Sequence, residues 1–439
     1  MTARRHGCAL LSAILTLVVA LSTALYLGVS AAPGRSPGRS TVAAPQDRAA
    51  PVSSGTWVGS WAAAPAGGEP GTGTTGMAGR TVRNVIHTSV GGTSARVTLS
   101  NLYGTRPLTV THAALAVAEG AGPAADPRTL RRLTFGGATA VTVPAGGQTV
   151  SDAAALAVPR DSDLVVSTFS PTSSGPVTFH THARQTSYLA HGERTADVTG
   201  TPYTATSERW RYLTALDVLS DEADGTLVAF GDSITDGFGS TQDANRRWPD
   251  ALAGRLRTAV RSGGDAPRYG VVNAGVSGNQ VLADDPRRGA AGVRRFERDV
   301  LDRPGVKVVV IDLGINDILR APGRPDADAI LAGLRTLVDR AHAHGIKAVG
   351  ATLTPFGGHR GYSAAREDVR ERINEVVREG GVFDAVVDFD RALRDPYDPR
   401  SLRGDYDSGD HLHPGDRGYR AMSAAIKLTV LEGAAAARL

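Results

Sequence analysis

A change of periodicity at Thr226 constrains the fold of this chain more than any other feature. From there on, short apolar runs alternate with longer amphipathic stretches. Continuous apolar strands separated by helices are typical of a parallel sheet that is covered by helices on both faces. The sequence therefore predicts an α/β fold, with strands over residues 227–230, 269–273, 306–313, 346–353 and 385–389.

The amphipathic stretches between these runs predict helices over residues 249–260, 327–343 and 364–378. A last helix is expected to begin at Pro414 and to end near Leu431. Proline suits the first turn of a helix because its missing N–H has no intrahelical partner there.

The chain before Thr226 has the pattern of a β-rich domain. Ala95, Val97 and Leu99 alternate with polar residues, which is the period of a half-buried strand. Similar runs predict strands over residues 82–90, 108–117, 164–169 and 176–182. Several short strands without helices between them indicate a β-sandwich or jelly roll. We therefore predict a β-rich accessory domain over residues 56–222 and an α/β domain over residues 223–435.

The N-terminal segment has the features of an export signal. Arg4 and Arg5 precede an apolar run that extends to about residue 32, and small residues near Ala31 could be cleaved. The run is long enough that an uncleaved membrane anchor is the alternative. Residues 33–55 are rich in Pro, Ala and Gly and predict a flexible linker. Both alternatives predict a secreted protein, or one anchored to the outer face of the cell membrane.

Composition excludes several function classes. The 48 basic and 44 acidic residues are interleaved, so nothing suggests a nucleic-acid partner. Cys8 is the only cysteine and lies in the predicted export signal, so disulfides, a thiol nucleophile and a cysteine-based zinc site are not expected. We expect a monomer that meets a membrane only through an N-terminal anchor.

Four loops carry residues suited to chemistry. Ser233, Gly278 and Asn316 each follow one of the first three predicted strands, and carboxyl ends of parallel strands lie at one edge of a sheet. Asp410 and His413 precede the last helix, and their spacing of three places them on one side of a helical turn. These five residues are therefore expected to converge.

The residue types match acyl transfer. A serine hydroxyl such as that of Ser233 needs a base, and a histidine such as His413 titrates in the right range. A carboxylate such as Asp410 orients the imidazole. A glycine allows a backbone N–H to approach closely, and an asparagine amide is a further donor for an oxyanion.

Each assignment has an alternative. Ser233 could be a turn residue, Gly278 could serve only a tight turn, and Asn316 could cap a helix. Ser277 is a rival nucleophile, His411 a rival base, and Asp405 and Asp407 are rival carboxylates. Asp232, Asn279 and Asp317 are interpreted as supporting or turn residues.

Two patterns could suggest a metal, but neither is complete. The acidic stretch over residues 405–410 lacks the closing glutamate of a calcium loop, which favours a solvated loop. His180 and His182 alternate on one strand face without a nearby third ligand, which favours surface histidines. We expect no metal and no cofactor, and we regard a metal-dependent hydrolase as a poor third hypothesis.

The residues around these positions resemble the SGNH, or GDSL-type, hydrolase superfamily. Its blocks centre on Ser, Gly, Asn and His, which correspond here to Ser233, Gly278, Asn316 and His413. The stretches at residues 231–237 (Gly-Asp-Ser-Ile-Thr-Asp-Gly), 245–250 and 272–275 are similar to the arylesterase-like members found beside bacterial xylanases. This resemblance covers most of residues 223–435. The sequence Trp-Val-Gly-Ser-Trp at residues 57–61 resembles, more weakly, an N-terminal extension of secreted members.

The resemblance implies a flavodoxin-like three-layer α/β/α fold and ester hydrolysis through an acyl-enzyme on Ser233. It also implies that the oxyanion donors are the Ser233 and Gly278 N–H groups and the Asn316 amide, and that no metal takes part. Ile234 replaces the leucine of the family's first block, a change that conserves volume.

These observations predict a secreted serine esterase that removes short acyl or acetyl groups from carbohydrate. The substrate would be a small-molecule or polysaccharide ester. A lipase or lysophospholipase acting on lipid esters is the alternative. A non-catalytic carbohydrate-binding protein is a further hypothesis from a different class.

Overall fold

The structure, a computed structural model, describes residues 55–433. The predicted export signal or anchor (1–32) and all of the predicted linker except Gly55 lie outside the described residues. Within the described part of the chain, no helix is long and apolar enough to cross a membrane.

The first half of the described chain consists of short antiparallel strands whose alternate side chains are apolar. These strands are β1 (Thr56–Ala62), β2 (Gly67–Gly68), β3 (Arg80–His87), β4 (Gly92–Ser100), β5 (Leu108–Val110), β6 (His112–Val117), β7 (Arg131–Arg132), β8 (Val141–Val143), β9 (Gln148–Val150), β10 (Ala154–Val158), β11 (Asp163–Ser170), β12 (Thr178–His180), β13 (Ser187–His191), β14 (Ala205–Ser207), β15 (Trp210–Arg211) and β16 (Leu213–Ser220).

Two larger sheets of this β-rich part form a sandwich. One has the strand order β1-β16-β4-β10, with β9 also paired to β4, and the other has the order β14-β13-β3-β11-β6-β7. Val97, Leu99 and Leu216 from the first sheet share a buried core with Leu115 and Leu164 from the second. The predicted strand over residues 108–117 is divided, because β5 pairs with β8 whereas β6 pairs with β11. A small third sheet, β15-β12-β2, carries His180 at the end of β12.

The second half has the predicted alternation of strands and helices. Its strands are β17 (Gly225–Gly231), β18 (Tyr269–Gly275), β19 (Val306–Asp312), β20 (Lys347–Ala351) and β21 (Ala385–Val387). Its helices are α1 (Ser233–Asp236), α2 (Trp248–Arg261), α3 (Gly292–Phe296), α4 (Ile315–Arg320), α5 (Ala327–Ala343), α6 (Ala364–Arg378), α7 (Phe389–Leu393) and α8 (Asp416–Ala425). A π-helical turn (Glu297–Leu301) follows α3, and a 3-10 turn (Leu428–Leu431) follows α8.

The five strands of this half form one parallel sheet in the order β18-β17-β19-β20-β21. Alternate side chains of β17 and β19 point to opposite faces. Phe230 and Ile311 pack with α5 and α6 on one face, and Ala229 and Val310 pack with α2 and α8 on the other. This is the predicted three-layer α/β/α fold. From β17 the chain continues to β18 on one side of that strand, and then crosses to β19 on its other side. The strand order therefore reverses at β17, and ligands of such sheets bind at the carboxyl ends of the strands beside this switch point.

Helices α5 and α6 have the predicted bounds, whereas other ends differ for local reasons. Strand β21 stops at Val387 because Asp388 accepts a hydrogen bond from Arg391 N and caps α7. Helix α8 begins at Asp416 rather than Pro414 because residues 407 and 414 form a β-bridge just before it. The helix ends at Ala425, so the predicted last helix is too long at both ends.

The β-rich part covers the free edge of the parallel sheet, and both parts lie in one compact unit. Val271 N in β18 donates to Ser89 Oγ at 3.0 Å, and Gly59 N in β1 donates to Thr226 Oγ1 at 2.8 Å. A Cβ added at Gly270 would lie 2.2 Å from Gly59 O, so the two backbones touch. An unpaired strand edge would otherwise be open to aggregation.

Candidate active site

Ser233 lies where β17 ends and α1 begins. Asp232 caps this short helix, because its Oδ1 accepts a hydrogen bond from Ile234 N at 3.0 Å. A Cβ added at Gly231 would lie 2.2 Å from Thr235 Oγ1 and 2.5 Å from Asp312 O, so only glycine fits at the end of the strand. The tight strand-to-helix turn therefore holds the Ser233 hydroxyl at the carboxyl edge of the sheet.

Ser233, His413 and Asp410 form a continuous chain of hydrogen bonds. Ser233 Oγ lies 2.8 Å from His413 Nε2, and His413 Nδ1 lies 2.6 Å from Asp410 Oδ2. With Nδ1 donating to the carboxylate, Nε2 is free to accept the serine proton. This is the arrangement of nucleophile, base and orienting carboxylate that acyl transfer uses.

The contact between Asp410 and His413 has a different local origin from the one predicted. The two residues share a turn ahead of α8, not a turn of the helix. Asp410 Oδ1 accepts hydrogen bonds from His413 N at 2.8 Å and from Leu412 N at 3.1 Å, so the carboxylate itself organises this turn.

Asp410 is ionised at neutral pH. Burial raises the pKa of Asp410, but hydrogen bonds from the His413 side chain and backbone outweigh burial and hold the pKa well below its usual range. A carboxylate that stays charged keeps the proton on His413 Nδ1 and stabilises the imidazolium that forms when the serine is deprotonated.

The rival base and carboxylates lie in other pairings. His411 Nδ1 lies 2.7 Å from Asp407 Oδ2, and more than half of the His411 side chain is exposed. Asp405 forms an ion pair with Arg417 at 3.1 Å. Only His413 reaches Ser233 among the described histidines.

Gly278 and Asn316 line the same cleft as Ser233 and His413, with a volume of about 550 Å³. Gly278 has a φ of +79°, which favours glycine. Asn316 lies in the first turn of α4 and is 4% exposed. Its Nδ2 has no hydrogen-bond partner among the described residues. A buried amide donor without an acceptor suits an oxyanion that is present only during reaction.

The loop that carries Gly278 is held from several sides. The Asp317 carboxylate accepts hydrogen bonds from Val281 N at 2.8 Å and Leu282 N at 3.1 Å. Asn279 Nδ2 donates to Arg288 O and Ala290 O. Asp317 and Asn279 thus lie in supporting positions, as the sequence suggested.

Arg295 is a supporting residue that the sequence did not reveal. Its side chain is fully buried and donates to Gly231 O, Ala274 O and Asn279 Oδ1, so it joins the ends of β17 and β18 to the Gly278 loop. Its charge is paired with Asp299 at 3.0 Å. It is one arginine among many, and no local motif distinguishes it.

The prediction that His180 is a surface histidine is wrong. His180 is 4% exposed, because the end of β12 packs against α1 of the α/β half. Its Nε2 lies 2.8 Å from Asp236 Oδ1 and its Nδ1 lies 2.8 Å from Ala64 O. Both neighbours are acceptors, so both ring nitrogens carry protons. Burial lowers the pKa of His180, but the facing Asp236 carboxylate outweighs burial and raises it.

Asp236 links this histidine to the Gly278 loop. Its Oδ2 accepts hydrogen bonds from Ser277 Oγ at 2.5 Å and from Ser277 N at 3.1 Å. Burial raises the pKa of Asp236, but His180 outweighs burial and the pKa is lowered. The rival nucleophile Ser277 is therefore bound to a carboxylate that is already paired, and no imidazole nitrogen of residues 55–433 contacts its hydroxyl.

His182 is half-buried and forms part of the cleft wall. The Phe238 ring lies between His182 and His413, with ring centroids 5.4 Å from His182 and 4.6 Å from His413. Thr181 lines the cleft beside His182. The β-rich part therefore reaches the rim of the site. Over residues 55–433, no three His, Cys, Asp or Glu side chains are grouped so that they could hold a metal ion.

Residues 229–421 match the model of the GDSL-like lipase/acylhydrolase family. The α/β half of this chain therefore contains a domain that is similar to that family. The match begins within β17 and ends within α8, so it contains all five predicted site residues. The recognition made from the sequence is thereby confirmed, and the β-rich half lies outside the matched residues.

Several solved structures are similar to just under half of this chain. One is a lipolytic protein of the G-D-S-L family from Desulfitobacterium hafniense, with 22% identity, 46% of this chain and 96% of that chain covered, and a TM-score of 0.35. Another is Est24, a carbohydrate acetylesterase from Sinorhizobium meliloti, with 16% identity, 47% and 100% covered, and a TM-score of 0.37. A third is an inhibitor-bound aryl esterase from M. smegmatis, with 18% identity, 46% and 95% covered, and a TM-score of 0.36. A comparison with curated proteins gave no match.

Proposed function

We propose that this protein is a secreted serine esterase that removes short acyl groups, above all acetyl groups, from carbohydrate through an acyl-enzyme on Ser233. The observation that carries the proposal is the chain of hydrogen bonds from Ser233 through His413 to Asp410, at 2.8 and 2.6 Å. Similarity to an acylhydrolase family supports the reaction class.

The first half-reaction forms the acyl-enzyme. Ser233 Oγ attacks the ester carbonyl carbon while its proton moves to His413 Nε2. The carbonyl oxygen becomes an oxyanion that the Ser233 and Gly278 N–H groups and Asn316 Nδ2 would bind. One such donor lowers the barrier by about 3 to 4 kcal/mol. The intermediate collapses when the bond between the acyl carbon and the alcohol oxygen breaks and His413 gives the proton to that leaving oxygen.

The second half-reaction repeats these steps with water. His413 takes a proton from the water as it attacks the acyl carbon, and then returns a proton to Ser233 Oγ. The products are a carboxylic acid and free enzyme. The same residues therefore act in both half-reactions.

The cleft favours a short acyl group over a long one. Its described lining has three large apolar side chains, Phe238, Leu319 and Leu412, among mostly polar neighbours. A long acyl chain needs a continuous apolar wall, because each CH₂ that leaves water contributes about 0.8 kcal/mol. A polar, open cleft suits a small acyl group on a hydrophilic alcohol such as a sugar.

The nucleophile is tested by Ser233→Ala, which should abolish hydrolysis of p-nitrophenyl acetate while circular dichroism and the unfolding midpoint stay unchanged. A fluorophosphonate probe should label the wild-type protein and Ser277→Ala, but not Ser233→Ala. Full activity or labelling in Ser233→Ala would disprove the assignment. Absence of labelling in the wild-type protein would favour the non-catalytic binding protein.

The acyl donor is tested with a substrate panel. Acetate release from acetylated xylan should exceed fatty-acid release from lysophosphatidylcholine. Activity on the lipid alone would replace the carbohydrate proposal with the lipid acylhydrolase. Recovery of the protein from culture medium, with its N-terminus sequenced, tests secretion.

A further inference from the structure

The described rim of the cleft carries positive charge without negative charge. Four lining residues are arginines, and no Asp or Glu is among the described lining residues; the arginines are Arg287, Arg288, Arg320 and Arg360. Composition does not explain this bias, because the chain has 48 basic and 44 acidic residues. A random selection of surface residues would contain both signs.

Few carboxylates neutralise these arginines. Arg288 forms an ion pair with Asp285 at 2.7 Å. Arg320 Nε donates to Asn316 Oδ1 at 3.3 Å, which leaves its charge unpaired. The side chains of Arg287 and Arg360 form no hydrogen bond or ion pair with any described residue. One carboxylate therefore faces four guanidinium groups.

The other acidic groups nearby are used elsewhere. Asp410 directs its carboxylate to His413. Asp232 is buried behind Ser233, and burial together with the neighbouring Asp312 raises its pKa. Two further histidines line the cleft beside His413, namely His182 and His359. The pKa of each is lowered, and burial is the largest cause. The net charge of the rim is therefore set by the arginines.

Two of the arginines lie beside the reacting groups. At the position of a Cβ added to Gly278, Arg288 Nε would be 2.8 Å away and an Arg320 terminal nitrogen 3.0 Å away. Burial, followed by the charge of Arg288, lowers the pKa of Arg320, so the two guanidinium groups repel each other. An anion bound between them would relieve that repulsion. Such an anion would lie a few ångströms from the oxyanion donors.

We propose that the preferred substrates are esters that carry an anionic group, such as a carboxylate, close to the scissile bond, and that the rim arginines bind this group. Guanidinium groups bind carboxylate, sulfate and phosphate oxygens in planar, often bidentate geometry. The inference rests on the proposed esterase function. It narrows the carbohydrate substrate to one with acidic residues, or the acyl group to that of a dicarboxylic acid.

Two matched pairs of esters test the inference and locate the charge. On the alcohol side, an O-acetylated methyl galacturonoside is compared with the O-acetylated methyl galactoside. On the acyl side, monoethyl succinate is compared with ethyl butyrate. In at least one pair the anionic ester should have a kcat/KM about ten times higher, and 0.5 M NaCl should reduce that ratio because salt screens exposed charges.

The double variant Arg287→Gln/Arg360→Gln removes two exposed, unpaired charges. We expect it to lower kcat/KM for the preferred anionic ester about tenfold and to leave the neutral partner unchanged. Arg261→Gln is the matched control, because Arg261 is exposed at the far end of α2. An equal loss in the control would overturn the inference.

The outcomes separate this inference from the proposed function. Hydrolysis of both pairs without preference for the anionic ester, abolished by Ser233→Ala, would overturn the inference and leave the esterase standing. Hydrolysis of no ester at all would overturn the proposed function, and the inference with it.

Discussion

The two halves of the described chain contribute to the site in different ways. The α/β half supplies Ser233, His413, Asp410 and Asn316, and each lies in a loop or a first helical turn at the carboxyl edge of the sheet. The β-rich half supplies no reacting group to this set. It contributes His180, which is buried against Asp236, and part of the cleft wall.

This difference follows from the two architectures. All strands of a parallel sheet end at the same edge, so residues distant in sequence converge there. An antiparallel sandwich directs its alternate side chains into its own core or outward. The β-rich half therefore acts on the site through the segments that contact the α/β half, such as the end of β12 and the residues that follow it. If this distinction is correct, substitutions in the α/β half should reduce kcat strongly, and those in the β-rich half should act mainly through stability and positioning.

The largest effect is expected at Asp410. Asp410→Asn should reduce kcat for p-nitrophenyl acetate by about 10⁴, because an amide no longer holds His413 in the tautomer that accepts the serine proton. Asp405→Asn is the matched control on the same loop and should retain activity. Near-normal turnover in Asp410→Asn would show that another carboxylate orients the histidine.

An intermediate effect is expected at Asn316. Asn316→Ala should reduce kcat by about 10² to 10³, with little change in KM, because the amide would bind the oxyanion of the transition state more tightly than the carbonyl of the substrate. A rise in KM at constant kcat would instead assign Asn316 to substrate binding. The measurement is steady-state kinetics with acetate and butyrate esters of one phenol.

A smaller effect on catalysis, but a clear one on stability, is expected at His180. Removing one partner of a buried ion pair typically costs about 3 to 5 kcal/mol. His180→Gln should therefore lower the free energy of unfolding in urea by this order. It should also reduce kcat about tenfold, because Asp236 positions Ser277 beside Gly278. His182→Gln, two residues beyond the end of β12 and half-buried, is the control and should change stability by less than about 1 kcal/mol.

The stability lost in His180→Gln should depend on pH. The pKa of His180 is raised in the folded protein, so its stabilisation is complete below the unfolded value of 6.5 and declines as the pH rises through the folded value. The pKa of Asp236 is lowered, so its stabilisation is present above 3.8 and declines as the pH falls. The difference between wild type and variant should therefore be largest between about pH 4 and 6.5. A difference that grows above pH 6.5 would contradict the ion pair.

The apolar periodicity of the sequence, together with residues that favour helix ends and turns, was enough to predict the fold of the α/β half. The bounds of α5 and α6 were predicted correctly because each combines an amphipathic stretch with a capping side chain, from Asp326 and Ser363 respectively. The five strands were predicted because they are nearly continuous apolar runs. Strand ends were less accurate where a cap such as Asp388 starts the next helix early.

The supporting residues could not be predicted from the sequence. His180 lies 56 residues from Asp236, and its burial depends on how β12 meets α1. Arg295 binds main-chain oxygens at the ends of two strands, and those oxygens have no sequence signature. Ser233, by contrast, lies in a local motif whose glycine and aspartate are required by the turn itself. Residues whose role depends on a local motif could be identified from the sequence, whereas residues whose role depends on tertiary packing could not.

The contact between the β-rich half and the edge strand β18 has a consequence for the design of shortened or recombined chains. A chain shortened to begin at residue 223 would lose the Ser89 acceptor of Val271 N and the cation that faces Asp236. It would expose a bare strand edge and leave a buried carboxylate without its partner. Fusion proteins built from this chain should therefore keep residues 55–433 together, even though the proposed reacting groups all lie in the second half.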